Sequence, residues 1–411
     1  MVEYLNKSRF AGLCPMSIKW VIAASHPLDS IFKVSSYHLA TGLARRARNE
    51  VLYLCAPISP FHRVRPSDTT DLDTRLALWR EGPKRRSDRL WEYCPRTWLP
   101  YVNRSFFGSR WVARRTLRWT QPDLSSVLHK AGFGAPDVLM VTNLQYAGLF
   151  DLLGGRLGLY RNVDELRGMA HVPPSMLEVE RDVALRADAV LTASVVQEQK
   201  MRSLGARRVF RLPHGVDVAM FQGPLPPAPS EYNYIPRPRT VYIGALTQWV
   251  DHELAVNVAR ILPRVSFVFI GPADPPFPDV LNQSNMRYLG PRPYESLPAY
   301  LRHADAAIIP FGKSAIVESA HPLKLLTYLA AGLPTICTPW RELEAMALPV
   351  RIGRTAQEFA REIDRALQTP RDPSLAESVR DYDWSRIIDR LETIVAGLRK
   401  DGTTDCADFT N

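Results

Sequence analysis

Short apolar runs alternate with stretches of helical spacing along most of this chain. Ile18–Ala24 and Glu50–Cys55 read as strands, and between them Val34–Ala47 places Tyr37, Leu39, Ala40 and Leu43 on one helical face. The same rhythm returns with strands at Asp137–Val141, Leu157–Arg161, Ala189–Ala193 and Val209–Leu212, and helices at Met176–Arg186 and Val195–Leu204. Strands that are apolar throughout, separated by helices, predict a parallel sheet covered on both faces. Residues 223–239 break the rhythm with six prolines and read as a stiff linker. Beyond it the alternation restarts. Thr240–Ile243 ends at Gly244, Ser266–Ile270 at Gly271-Pro272 and Met286–Leu289 at Gly290-Pro291, with a helix at His252–Leu262 and a further strand at Ala306–Pro310. Trp384–Leu398 closes the chain as an amphipathic helix. The Arg- and Trp-rich region, 61–119, has weak periodicity, with helices expected near 72–80 and 106–119. The pattern thus predicts an α/β protein of two units. A tail (1–17) precedes an N-terminal domain (18–222), the linker (223–239) and a C-terminal domain (240–372). A helix (373–400) that packs back on the N-terminal domain and a second tail (401–411) follow.

The segment 320–336, AHPLKLLTYLAAGLPTI, carries the densest local information. Pro322 suits a first helical turn, LKLLTYLAA a buried helix, Gly332 a left-handed C-cap and Pro334 a stop, before Thr335–Cys337 resumes as a strand. Lys324 falls in the first turn, where the helix dipole disfavours a cation. Two readings fit: an anion bound between the ammonium and the free N–H groups, or a packed helix whose lysine reaches solvent along its stem. Gly244, Arg292 after Gly290-Pro291, and Phe311 after Pro310 stand at neighbouring strand ends, where open α/β sheets bind ligands. With Lys324 they sketch a nucleotide-diphosphate site. Neither a G-x-x-x-x-G-K-[ST] nor a G-x-G-x-x-G pattern occurs, so ordinary ATP and NAD sites are unsupported. In the first unit Asp164, in Tyr160-Arg161-Asn162-Val163-Asp164-Glu165, follows a short strand and is the acid–base candidate; a helix cap or a surface ion pair is the alternative. His26 ends the first strand and lines the same cleft. His38 reads as a packed or exposed helix residue. No metal is expected, since Asp71-x-Asp73 and Asp381-x-Asp383 read as a loop and a cap.

Composition narrows the setting. Among 411 residues the net charge is +10, with 46% hydrophobic and 23% charged residues, the profile of a globular protein long enough for two cores. No uncharged apolar run is long enough to span a bilayer, and the stretch around Trp20–Ala24 reads as a strand and not a signal peptide. Five widely spaced cysteines without metal-ligand spacing suit a reducing compartment. Between Phe61 and Trp119, fourteen Arg/Lys face six Asp/Glu, and Trp79, Trp91, Trp98, Trp111 and Trp119 fall in the same window. Interleaved guanidinium groups and indoles suit an anionic membrane surface. They also suit single-stranded nucleic acid, or simply a solvated basic face over buried indoles.

PLKLLTYLAAGLPTI (322–336), HGVD (214–217), YRNVDEL (160–166), SYHLATGLARR (36–46) and YDWS (382–385) together resemble a glycosyltransferase of the family 4-like, GT-B type, most closely its membrane-associated xanthan β-glucuronosyltransferase kind. The resemblance covers about 20–370 and is weak across 57–135. It implies two Rossmann-like α/β domains facing a central cleft, acceptor on the N-terminal side and nucleotide sugar on the C-terminal side. It implies Asp164 as general base. Gly244, Arg292, Phe311, His321, Leu323, Lys324 and Thr327 would lie on the donor side, with Lys324 on the diphosphate and the loop after Gly290 beside the uracil. His26, Lys33 and Arg161 would lie on the acceptor side. Partners implied are a UDP-sugar, a lipid-linked or other membrane-borne saccharide, and an anionic membrane surface contacted through 61–119. No nucleic acid and no cofactor or metal are implied, and the chain would be cytoplasmic, peripheral on the inner face of the cell membrane. One departure matters. Retaining members carry two glutamates separated by seven residues here; Glu318 remains, but the second should fall near Thr327, which is not acidic. This favours inversion, with a retaining transferase and a non-catalytic glycan- or lipid-binding protein as rivals.

Overall fold

The computed structural model describes residues 17–404, apart from 32, 61–70, 105, 168, 170, 171, 276–280, 282 and 370. The two tails and the first ten residues of the Arg/Trp window therefore lie wholly or largely outside the described residues. The N-terminal sheet holds β1 (Ile18–Ala23), β2 (Asn49–Leu54), β3 (Lys84–Ser87), β4 (Leu90–Tyr93), β5 (Val138–Val141), β6 (Gly158–Asn162), β7 (Ala189–Thr192) and β8 (Val209–Arg211), in the order β3-β4-β2-β1-β5-β6-β7-β8. All neighbours are parallel except β3 and β4. That hairpin is absent from the sequence reading. KRRS has no apolar residue to mark a strand, and its place is fixed instead by pairing along LWEY at the sheet edge.

The C-terminal sheet holds β9 (Arg239–Ile243), β10 (Ser266–Ile270), β11 (Met286–Gly290), β12 (Ala306–Ile309), β13 (Thr335–Cys337) and β14 (Arg351–Ile352), in the order β11-β10-β9-β12-β13-β14, parallel throughout. The order reverses between β9 and β12, so a crevice opens above their carboxyl ends. Central strands such as SFVFI are buried along their whole length, as sheets covered on both faces require.

The proline-rich segment lies along the C-terminal domain. Tyr232 and Ile235 are buried, the Tyr232 hydroxyl donates to Tyr300 O at 3.1 Å, and Arg302 donates to the carbonyls of Phe221 and Gly223. The last helix, Trp384–Thr404, crosses to the N-terminal domain. Ile387, Ile388, Leu391 and Val395 join its core, Trp384 stacks on His38 at 4.6 Å, and Glu392 pairs with Arg48 at 2.6 Å and accepts from Asn49 Nδ2 at 2.8 Å. The chain thus passes between the domains twice. Among the described residues, no helix is long and apolar enough to cross a membrane.

Candidate active site

One wall is built by the helix Leu323–Ala330. Pro322 is its N-cap and no side chain caps it. Its other end has the expected geometry: Gly332 has φ +69° and Leu333 N donates to Tyr328 O at 2.9 Å. Tyr328 also fixes the helix to the sheet, since its hydroxyl accepts from Ile243 N at 2.6 Å. One turn earlier Lys324 lies against Gly244. A Cβ on Gly244 would stand 2.8 Å from Lys324 Cε, and one on Gly271 would stand 2.2 Å from Gly244 O, so both strand ends need glycine. The Lys324 ammonium sits 4.5 Å from the Phe311 ring centroid and 5.2 Å from that of Tyr242. No carboxylate pairs with it among the described residues, and burial draws its pKa down to about 8. A cation held on two aromatic faces without a counter-ion, beside an uncapped helix start, is suited to an anion.

Other donor-side residues take different places. Phe311, expected on the donor side, is only 7% exposed; its ring packs on Trp340 and carries the Lys324 ammonium. Thr327 is buried and its hydroxyl donates to Leu323 O at 3.1 Å within the same helix. Leu323 reaches across to the apolar cluster of the N-terminal domain. Arg292 is not gathered with Lys324: its guanidinium is held by Glu231 at 2.8 Å and the Tyr300 hydroxyl at 2.9 Å. Glu318 accepts from Arg341 N at 2.9 Å.

The facing wall comes from β6. Alternation along GLYRN sends Arg161 and Asn162 to opposite faces. Arg161 is fully buried; one nitrogen donates to Leu212 O at 2.9 Å, while Nε and a second terminal nitrogen have no partner. Burial lowers its pKa to about 10, against the pull of Asp164. Asp164 is solvent-exposed at the carboxyl end of β6. The surrounding protein raises its carboxyl pKa, and Arg161 opposes that rise. The carboxylate receives no hydrogen bond from a described residue. Its loop is held from the other face: Asn162 Nδ2 donates to Glu180 at 2.9 Å and to Asp164 O at 3.4 Å, Lys200 bridges Glu180 and Glu165 at 2.8 and 3.1 Å, and Glu165 accepts from Arg167 N.

The walls meet at His321 and His214. Their rings are 5.4 Å apart in edge contact, one from each domain, and each Nδ1 lacks a partner. Burial, with the Arg161 charge adding to it, drives His321 down to about 3 and His214 well below its ordinary value, so both are neutral near pH 7. Sequence reading singled out HGVD but not the ring of His214, whose role depends on a partner in the other domain. It marked Gly271 only as a strand end, and it missed Glu342. Glu342, from Arg341–Met346, is almost fully buried and accepts from Val195 N at 2.7 Å, at the start of the helix Val195–Ser203 in the other domain. His26 and Lys33 stand past the end of β1, two strands from β6. His26 faces Asp71 at 3.8 Å, and Lys33 donates to Leu28 O at 2.7 Å beneath the Tyr37 ring. Among the described residues no three His, Cys, Asp or Glu side chains are grouped to hold a metal ion.

Residues 237–369 match the family model described as glycosyl transferases group 1. The chain is 26% identical over 179 residues to a putative teichuronic acid biosynthesis glycosyltransferase, TuaH, of Bacillus subtilis (strain 168). That match covers 41% of this chain and 45% of the relative, so the chain spans less than half the length of the curated protein it matches. Among solved structures, sucrose-phosphate synthase of Thermosynechococcus elongatus superposes with a TM-score of 0.64 at 16% identity, covering 93% of this chain and 100% of the other. HepE of Anabaena, solved with UDP and glucose, gives 0.63 at 12% identity, over 92% and 100%. These likenesses establish the fold: two Rossmann-like domains in the GT-B arrangement.

Proposed function

We propose that this chain, whose residues 237–369 match the group 1 glycosyl transferases and whose fold is GT-B, moves a sugar from a UDP-sugar to a membrane-borne saccharide in polysaccharide synthesis. The observation that carries this reading is the meeting of Arg161 and Asp164 from one domain with the His321–Lys324 segment of the other, marked by the His214–His321 contact. Lys324 and the start of its helix hold the diphosphate, with Gly244 and Gly271 giving it backbone access. Asp164, with a raised pKa, no hydrogen-bond partner for its carboxylate among the described residues and an open face, takes the proton of the acceptor hydroxyl as that oxygen attacks the anomeric carbon. The negative charge that develops on the leaving diphosphate is met by Lys324 and helix N–H groups, without need of a metal. His214 and His321, neutral and next to Arg161, hold the floor of the cleft without adding charge.

This chemistry is inverting. Glu318 is taken up by Arg341 N, and Thr327 has no carboxylate, so the paired acids of a retaining site have no counterpart. The TuaH likeness and the bound UDP of HepE support the polymer and the donor class. A glucuronosyl donor, as the xanthan-type resemblance implies, falls within the reading.

The membrane side rests on a narrower surface than the full 61–119 window. Trp98, Phe106, Trp111 and Trp119 are about half exposed, Arg96 lies between the rings of Trp79 and Trp98 at 4.6 and 4.9 Å, and Arg115 covers Trp111 at 4.7 Å. Indoles at headgroup level with guanidinium groups among them suit anionic lipid. The deciding experiment follows UDP release and product anomer from a panel of UDP-sugars, with and without acceptor and with EDTA in excess. Acceptor-dependent turnover with an inverted anomeric centre is expected. A retained anomer would remove the inverting scheme, and absence of turnover with every donor would remove the transferase reading.

A further inference from the structure

A cavity of about 270 Å³ lies between the two domains, lined by Arg167, Gln248, Trp249, Ser314, Ala315 and Ile316. Its three lining segments extend the loops already described. Arg167 lies three residues beyond Asp164, Trp249 five beyond Gly244, and Ser314 three beyond Phe311. The cavity therefore borders the place where the base and the donor diphosphate converge, one step toward solvent. A larger cavity of about 610 Å³, lined by Arg48, Glu392 and neighbours at the opposite ends of β1 and β2, is remote from these groups.

The lining chemistry is that of a sugar site. Trp249 is half-buried and firmly placed: Gly312 N donates to its carbonyl at 2.9 Å, and Val250 bridges to Phe311. Its indole offers an apolar face, Gln248 an amide and Ser314 a hydroxyl, and Ile316 closes the side. Among the described lining residues Arg167 alone is charged. Its guanidinium has no partner among the described residues. The nearest acids on its own loop are already answered, Glu165 by Lys200 at 3.1 Å and Asp164 by the field of Arg161. Its backbone is held because Arg167 N donates to Glu165. The cavity thus presents one uncompensated, planar cation beside an aromatic face, a pairing suited to a pyranose bearing an anionic group.

We propose that this cavity is the acceptor subsite and that it takes an anionic saccharide, whose ring lies on Trp249 and whose carboxylate or phosphate pairs with Arg167. The inference rests on the transferase reading above. It adds the side of the reaction each residue serves and the charge of the acceptor. The anion belongs either to a uronate ring or to the phosphate that links a saccharide to its carrier, and the two share one requirement, a guanidinium at this position.

The test measures binding of 4-nitrophenyl β-D-glucuronide, 4-nitrophenyl β-D-glucoside and glucose 1-phosphate to the full chain in the presence of UDP, for wild type, Arg167→Gln, Arg167→Lys and Trp249→Leu. Wild type is expected to prefer one of the anionic probes over the neutral glucoside by at least about tenfold. Arg167→Gln should remove that preference and Arg167→Lys restore part of it. Trp249→Leu should weaken all three alike, several-fold. Preference for the glucuronide assigns the anion to the ring, and preference for the phosphate assigns it to the linkage; either supports the proposal. Equal binding of charged and neutral probes would overturn it. So would an Arg167→Gln variant whose loss falls on UDP-sugar KM and not on acceptor KM, since the cavity would then belong to the donor. If wild type fails to bind UDP at all, the transferase reading fails first, and that outcome is separate from either of these.

Discussion

The two walls of the cleft are built in different ways. The C-terminal wall has few parts: Gly244, Lys324 and Tyr328 come from one strand end and one helix, fastened by the Tyr328–Ile243 hydrogen bonds. The N-terminal wall is assembled from many side chains. Arg161 leans on Leu212, Asp164 on Asn162, and the loop between them on Lys200 and Glu180. The first wall binds by fixed backbone and one cation; the second raises a carboxylate's pKa by desolvation and holds its loop with a buried network. Chemistry that needs a poised base is thus placed where the packing is most elaborate, and anion binding where the backbone suffices.

The strongest way to break this contrast is to remove the base. Asp164→Asn should reduce transfer by about 10²–10⁴-fold, the range of general-base contributions, while UDP affinity stays within about twofold of wild type. Product formation with saturating donor and acceptor reads the first number and UDP titration the second. A variant with full transfer would move the base elsewhere.

Next comes the cation. Lys324→Ala should weaken UDP binding by about 10–100-fold, a charge-assisted contact of about 1.5–3 kcal/mol. The depressed pKa gives a sharper form of the same test. Because burial brings Lys324 to about 8, the free enzyme loses this charge as pH rises through that value, and donor affinity should fall with it. Lys324→Arg remains charged across the range and should flatten the profile above pH 8, even if the bulkier group weakens binding overall. Gly244→Ala should act through the same residue: its Cβ meets Lys324 Cε at 2.8 Å and the backbone has φ +149°, so donor KM should rise several-fold and stability fall by about 1–3 kcal/mol. A donor KM unchanged by both substitutions would detach the diphosphate from this wall.

What could be read from the sequence follows the same division. Gly332 and Pro334 have local meanings, and the helix between Pro322 and Gly332 formed where the pattern places it, with Pro322 as its cap instead of its first turn. The parallel strands were legible because buried central strands are apolar throughout. The hairpin of β3 and β4 was not, since edge pairing can hold a strand with no apolar residue. Residues 223–239 carry six prolines and read as a spacer, yet Tyr232 and Ile235 are buried on the C-terminal domain, because proline content reports stiffness and says nothing of packing. Asp164 was visible as one carboxylate after a strand, but the network that positions it comes from residues up to 36 positions away along the chain. Arg167, Trp249 and the ring of His214 gain meaning only when the domains meet. No periodicity encodes such a meeting.

The smallest effect, and the one that probes the seam between the walls, belongs to Glu342. It is buried, its carboxylate accepts from Val195 N at 2.7 Å, and it faces the start of a helix in the other domain, a position where a negative charge is ordinarily welcome. Burial nevertheless outweighs that attraction and raises its pKa to about 6, with the Val195 and Val196 N–H groups and Arg211 pulling the other way. The sign of the linkage follows. Because the folded-state pKa lies above the ordinary 4.5, the folded chain holds this proton more tightly than the unfolded chain. The resulting stabilisation is complete below pH 4.5 and is lost as pH rises through 6. A shift of that size corresponds to at most about 2 kcal/mol. Glu342→Gln keeps an acceptor for Val195 N without the charge, so at pH 8 it should raise the midpoint of thermal unfolding by about 1–4 °C over wild type, and at pH 4.5 the two should nearly coincide. A glutamine variant that is less stable than wild type at pH 8 would mean that the ionised carboxylate holds the domains together, and the seam would then count as an electrostatic latch and not as a packed boundary.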